Sequence, residues 1–94
     1  MAEYRITYWR EIPSMVSARD GEATSKVALP GRFQEAIDEA AMRLGMAGSD
    51  AYLEQWRHGE WLDGDGTPDG LAGRVAEQLD TEFDDERLGS LLEA

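Results

Sequence analysis

The sequence predicts an α+β fold: a small antiparallel sheet with elements in the order ββ(β)αβα and two main helices packed on one of its faces. Two observations carry that expectation, and a third divides the chain. Tyr4 to Trp9 alternates with a period of two in β-branched and aromatic residues. Phe33, Ile37, Ala40 and Leu44, and later Leu71, Val75, Leu79 and Phe83, recur at the three- and four-residue steps of a helix. Asp20-Gly21, Pro30-Gly31 and Asp63-Gly64-Asp65-Gly66 separate these segments with turn-forming residues.

Taken in order, the first strand runs through Tyr4-Arg5-Ile6-Thr7-Tyr8-Trp9, with Tyr4, Ile6 and Tyr8 on one face. Ile12-Pro13-Ser14 is expected to interrupt the sheet, since proline has no N–H for a ladder. A short second strand follows from Met15 to Arg19, and Thr24 to Leu29 is a candidate third after the Asp20-Gly21 turn. Pro30-Gly31 opens the first helix and Gly45 or Gly48 closes it. Tyr52 to Leu62 reads as a strand on its aromatic content, although the three-residue step from Leu53 to Trp56, behind a Ser49-Asp50 start, also suits a short helix. Thr67 is placed to cap the second main helix, with Pro68 as its first residue and Asp69 near the positive end of its dipole.

With 94 residues the chain is the size of a single domain and buries roughly 65% of the surface its unfolded form exposes. Residues 1–83 are expected to form that domain. Residues 84–94, with Leu88, Leu91 and Leu92 at helical spacing behind an acidic run, form a short helix or a tail. There is no cysteine, so hydrophobic burial must hold the fold without disulfide or zinc thiolate. The absence of a secretory pattern or a long apolar run makes a cytoplasmic location the expectation. Net charge is −11, divided as −1 over residues 1–47 and −10 over residues 48–94. Such a field repels nucleic acid and anionic membranes, whose binding depends on Lys and Arg contacts. Solubility accounts for the acidity, and a basic partner surface is the sharper alternative.

The common catalytic and metal signatures are missing. Counted from Asp63, the loop begins like a calcium-binding loop, but Pro68 takes the place of its glycine and Arg74 that of its bidentate glutamate. His58 is the only histidine and has no cysteine to share a metal with. No nucleophile elbow, phosphate loop or dinucleotide fingerprint occurs. No cofactor is expected. Three Trp and three Tyr fall into two segments, Tyr4/Tyr8/Trp9 and Tyr52/Trp56/Trp61. Neighbouring strands would gather them, as core or as an anchor patch with Arg10, Arg32 and Arg57, because Trp, Tyr and Arg are enriched at interface hot spots.

The run Tyr8-Trp9-Arg10-Glu11-Ile12-Pro13-Ser14, with Val16, Ala18 and Gly21 behind it, resembles the start of a bacterial family known as virulence factor. Leu29-Pro30-Gly31-Arg32-Phe33 with Ile37 and Ala40, and then Ser49-Asp50-Ala51-Tyr52-Leu53-Glu54-Gln55-Trp56-Arg57, continue the likeness. It covers about residues 4–60, and beyond them only the general helical pattern is shared. The resemblance implies a short stand-alone protein, or a domain of longer helical-repeat proteins, with no assigned chemistry. It also implies neighbours similar to methylenetetrahydrofolate reductase and corrinoid methyl-transfer proteins, hence an accessory subunit of a one-carbon system.

Three functions follow as expectations. The first is a non-catalytic acidic interaction module that binds a larger protein through Trp9, Arg10, Arg32, Tyr52, Trp56, Arg57 and Trp61. The second is a small-ligand domain with a Trp and Tyr pocket, in which Arg32 or Arg57 pairs an acidic ligand such as a folate tail. The third is a small enzyme using His58 or a carboxylate as base. A homodimer through an edge strand or through Leu88, Leu91 and Leu92 is compatible with each.

Overall fold

The computed structural model describes residues 2–92. Within them the chain runs β1 (Ala2–Trp9), β2 (Ile12–Asp20), β3 (Ala23–Ala28), α1 (Gly31–Arg43), α2 (Asp50–Glu54), β4 (Trp56–His58), β5 (Leu62–Gly64), α3 (Pro68–Glu82) and α4 (Asp85–Leu92). The strands form one antiparallel sheet in the order β3-β2-β1-β4, and β5 pairs with β1 nearer its start.

Register determines which side chains meet α3. Tyr4 lies opposite Ala18, Ile6 opposite Val16, and Val27 opposite Val16 on the far side. Val16 and Ala18 are buried, and Tyr4, Ile6 and Val27 pack against the same cluster as Leu71, Ala72, Val75, Ala76 and Leu79 of α3. Each fully buried aliphatic side chain in such a layer contributes about 1.5–3 kcal/mol. Leu62 lies opposite Tyr4 and Gly64 opposite Ala2, so both belong to this face. An added Cβ on Gly64 would stand 2.6 Å from the Leu71 methyls, so glycine is what lets the start of α3 close on the strand.

Pro13 does not interrupt the sheet. It is fully buried inside β2 and opposes Tyr8, while Met15 opposes Thr7, which leaves Ser14 as the extra residue of a bulge. Pro13 also lies beyond Met15, the last residue of β2 that pairs with β3, so it stands where β2 is an edge strand on that side, next to a bulge, the two settings in which a sheet accepts proline. Past the bulge Trp9 pairs with Ile12, and both are buried. Ala40 and Leu44, with Leu91 and Leu92 of α4, face them across a narrow crevice, so α1 and α4 close this hairpin end of the sheet.

The first main helix buries Phe33, Ala36, Ile37, Ala40 and Ala41, the expected stripe except for Leu44, which falls at the C-cap and is exposed. Gly45 follows with φ +70°, the left-handed position that favours glycine. The Thr67 hydroxyl accepts from the Gly70 N–H at 3.2 Å, with Pro68 first in α3 and Asp69 in its opening turn. Thr67→Ala is therefore expected to lower the unfolding free energy by about 1 kcal/mol, read as a drop in urea midpoint at unchanged m.

The reading of Tyr52 to Leu62 as one strand is corrected. Asp50–Glu54 is a short helix, and only Trp56–His58 and Leu62–Gly64 pair with β1. The Ser49-Asp50 start does open a helix, but it ends at Glu54 and Trp56 begins β4, so the step from Leu53 to Trp56 spans two elements and neither reading of the segment holds along its whole length. Within the expected acidic end, Asp85–Leu92 form α4, whose Leu88 is 4% exposed and belongs to the same core as Trp9; residues 93 and 94 lie outside the described residues. The Asp84 carboxylate accepts from the Arg87 N–H at 2.9 Å at its start.

Candidate functional site

The turn between β1 and β2 consists of Arg10 and Glu11, and it needs a left-handed residue at its first position. Arg10 supplies it, with φ +55°, where glycine or asparagine is the usual choice. A non-glycine residue there costs roughly 1–2 kcal/mol. The α2–β4 junction holds it in place. Arg10 N–H donates to the Gln55 carbonyl at 3.0 Å, and its Nη1 donates to Gln55 Oε1 at 3.3 Å. The Arg57 Nε then donates to the Arg10 carbonyl at 2.9 Å, and its guanidinium carbon lies 4.5 Å from the centre of the Tyr8 ring. Both arginines are exposed, and neither has a carboxylate partner among the described residues.

Other arginines serve the fold. Arg32 pairs with Asp80 at 2.6 Å and Asp85 at 3.3 Å, and lies over Phe33. Arg43 pairs with Glu39, Arg74 donates to the Asp65 carbonyl, and Arg87 covers Phe83. Arg32 is thus a strut between α1 and the α3–α4 corner, far in role from Arg10 and Arg57. Arg74 also accounts for the Asp63–Asp69 loop, which it fastens to α3 by that backbone carbonyl.

The aromatic residues separate into two groups. Trp9, Tyr52 and Trp56 stack in series, with ring centres 5.6 and 6.1 Å apart, and the Trp9 Nε1–H donates to the Tyr52 carbonyl at 2.9 Å. Trp9 is fully buried, which removes it from any contact surface, while Tyr52 and Trp56 keep partial exposure. Trp61 is not part of this stack. It lies on the sheet face opposite α3 against Arg5 and Arg19. His58 is exposed and its Nδ1 is 3.0 Å from the Thr7 hydroxyl.

Sequence reasoning missed the apolar residues around the arginine pair. Leu44, Leu53 and Leu62 are 43%, 66% and 47% exposed. Leu44 shares the Trp9 crevice with Arg10, and Leu62 shares an open cleft of 370 Å³ with Ile6, Tyr8 and Arg57. Leu53 sits in α2, two residues before Gln55. Their exposure had no sequence signal, because leucine at helical or strand spacing reads as core.

The fold and this surface define a class: a small α+β domain in which the β1–β2 hairpin tip and the adjoining β4 present two arginines, with Glu11 and Glu54 beside them and Leu44 and Leu62 in the neighbouring clefts. Residues 7–92 match the family described as virulence factor, and the chain belongs to that family. The match extends well beyond residue 60 to include α3 and α4, further than the residues that suggested it. No curated protein and no solved structure matches the chain. No helix among the described residues is long and apolar enough to cross a membrane.

Proposed function

We propose that this chain is a non-catalytic interaction module, an accessory subunit that docks on a larger protein through the β1–β2 hairpin tip. One arrangement carries the reading. Arg10 is kept in a strained backbone conformation beside Arg57, both without carboxylate partners among the described residues, with exposed Leu44 in the Arg10 crevice, exposed Leu62 in the Arg57 cleft, and Glu11 and Glu54 lining the cleft between the two arginines. Arginine beside exposed apolar anchors is the composition of an interface hot spot. Backbone strain of this kind persists where surrounding structure enforces it and a function uses it. The cleft beside Tyr8 is open to one side, a shape better suited to an inserted partner side chain than to an enclosed small ligand. A one-carbon enzyme, the partner class that the family resemblance implies, is the first candidate.

The test is co-purification of the tagged chain from its native host, comparing wild type with Arg10→Gly and Arg57→Gln variants. Arg10→Gly relieves the left-handed strain and is expected to raise stability by about 0.5–1 kcal/mol, while a stoichiometric partner is lost from both variants. Retention of the partner by both, or no partner with wild type, overturns the proposal.

A further inference from the structure

On the sheet face opposite α3, Arg5, Ser17 and Lys26 stand in one row across three strands, Arg5 opposite Ser17 and Ser17 opposite Lys26. Adjacent strands lie about 4.8 Å apart, so two cations flank one hydroxyl at a spacing their long side chains readily close. The next row holds Asp63, Glu3, Arg19 and Thr24, so two carboxylates and one guanidinium stand beside the first. Trp61 covers this part of the face, with its ring centre 4.7 Å from the Arg5 guanidinium carbon and 3.7 Å from that of Arg19.

The two arginines differ in their partners. Arg19 is paired with Glu3 at 3.2 Å. Arg5 has no carboxylate partner among the described residues, and its Nε is buried with no hydrogen-bond acceptor. An unmet buried donor is destabilising and rare enough in folded proteins to need a reason. Trp61 holds the guanidinium in position without neutralising it, since an indole ring has no acceptor to offer. Lys26 is exposed and likewise lacks a carboxylate partner among the described residues, and Ser17 between them is 8% exposed. Arg5 and Lys26 are therefore two cations without a described carboxylate partner, and with Arg19, Glu3 and Asp63 in the next row this patch keeps one net positive charge in a chain of net charge −11.

We propose that the Arg5–Ser17–Lys26 row docks a carboxylate side chain on an acidic segment of a partner protein. The guanidinium matches a carboxylate in bidentate geometry, the Ser17 hydroxyl donates to it, and the Lys26 ammonium closes over it. A carboxylate, with one charge, meets less repulsion from this acidic chain than a phosphate dianion does. The row is exposed at Lys26 and covered by Trp61 toward Arg5, a shallow surface on which a polypeptide gains area from its backbone and neighbouring side chains and a small molecule would stay in solvent. The site is on the opposite face from Tyr8 and Arg57 and does not depend on the hairpin tip being an interface.

The experiment is a titration of the full chain at low ionic strength with the blocked peptide acetyl-Gly-Glu-Gly-amide. It is followed by the amide resonances of Ser17 and Lys26 and the Nε–H resonance of Arg5, with the glutamine version of the peptide and inorganic phosphate as comparators. Saturable shifts with the glutamate peptide and none with the glutamine peptide are expected. Lys26→Gln, an exposed substitution that leaves the core intact, is expected to abolish saturation, and Arg5→Gln to do the same. Arg10→Gln is expected to leave it unchanged. Absence of saturable shifts, or their persistence in Lys26→Gln, overturns the site, and a stronger response to phosphate overturns the carboxylate assignment.

Discussion

Replacing Trp9 by alanine is expected to lower the unfolding free energy by about 3–5 kcal/mol, the range for truncating a large buried aromatic. Trp9 is fully buried at the point where β1, β2, α1, α2 and α4 converge, and its indole N–H satisfies the Tyr52 carbonyl. The substitution opens a cavity, removes the shorter of two hydrogen bonds to that carbonyl, which keeps the Gln55 N–H at 3.3 Å, and takes one ring from the series with Tyr52 and Trp56. A chain of 94 residues has a total stability of about 5–14 kcal/mol on the usual per-residue scale, so this variant is expected to be marginal at 25 °C. Urea denaturation followed by circular dichroism checks it. A loss below about 1 kcal/mol would be inconsistent with an indole packed on all sides.

Arg32→Ala is the second large effect, and it distinguishes a strut from a docking residue. Its guanidinium gives Nε and Nη2 to the Asp80 carboxylate, Nη2 also to the Asp80 carbonyl, and Nη1 to Asp85. Charge-assisted bonds of this kind contribute about 1.5–3 kcal/mol when sheltered. The Asp80 side chain is 46% exposed and that of Asp85 94%, so solvent screening reduces the expected loss to about 1–2 kcal/mol. Arg32→Lys is expected to recover little, because an ammonium cannot span both carboxylates and still lie flat over Phe33. Partner capture is expected to survive both substitutions. Loss of the partner in Arg32→Ala at unchanged stability would move Arg32 from the framework to the interface.

Much of the fold could be read from local pattern. The period-two run of β1, the helical stripes of α1 and α3, and the Thr67-Pro68-Asp69 start of α3 depend on contacts within a few residues, which is where propensity and capping act. Pro13 shows the limit of such reading. Taken alone a proline ends a strand, yet Pro13 is admitted beside a bulge and beyond the end of β3, and both conditions are set by the register of neighbouring strands. Tyr52–Leu62 shows another. Whether those residues form a helix or strands was decided by which of them reach the edge of β1, and only Trp56–His58 and Leu62–Gly64 do.

The candidate site was legible in its residue types and not in its grouping. Arg10, Arg57, Tyr52 and Trp56 do meet at one end of the sheet. Arg32 and Trp61, chosen on the same grounds, are engaged elsewhere, and Trp9 is inside. Sequence proximity to aromatics cannot tell a guanidinium facing solvent from one folded onto Asp80, because the difference lies in a contact made 48 residues away.

The sequence by itself determined the class of fold, the two main helices and their starts, the net negative charge, and the family likeness. These follow from side-chain period, local capping chemistry and summed charge, none of which needs a distant partner. Only the tertiary structure decided which arginines remain unpaired, which leucines stay exposed, and that the Arg5–Ser17–Lys26 row lines up across three strands. Those properties are set by strand register and by residues far apart in the chain, and register becomes definite only when the strands pair and α3 covers one face of the sheet.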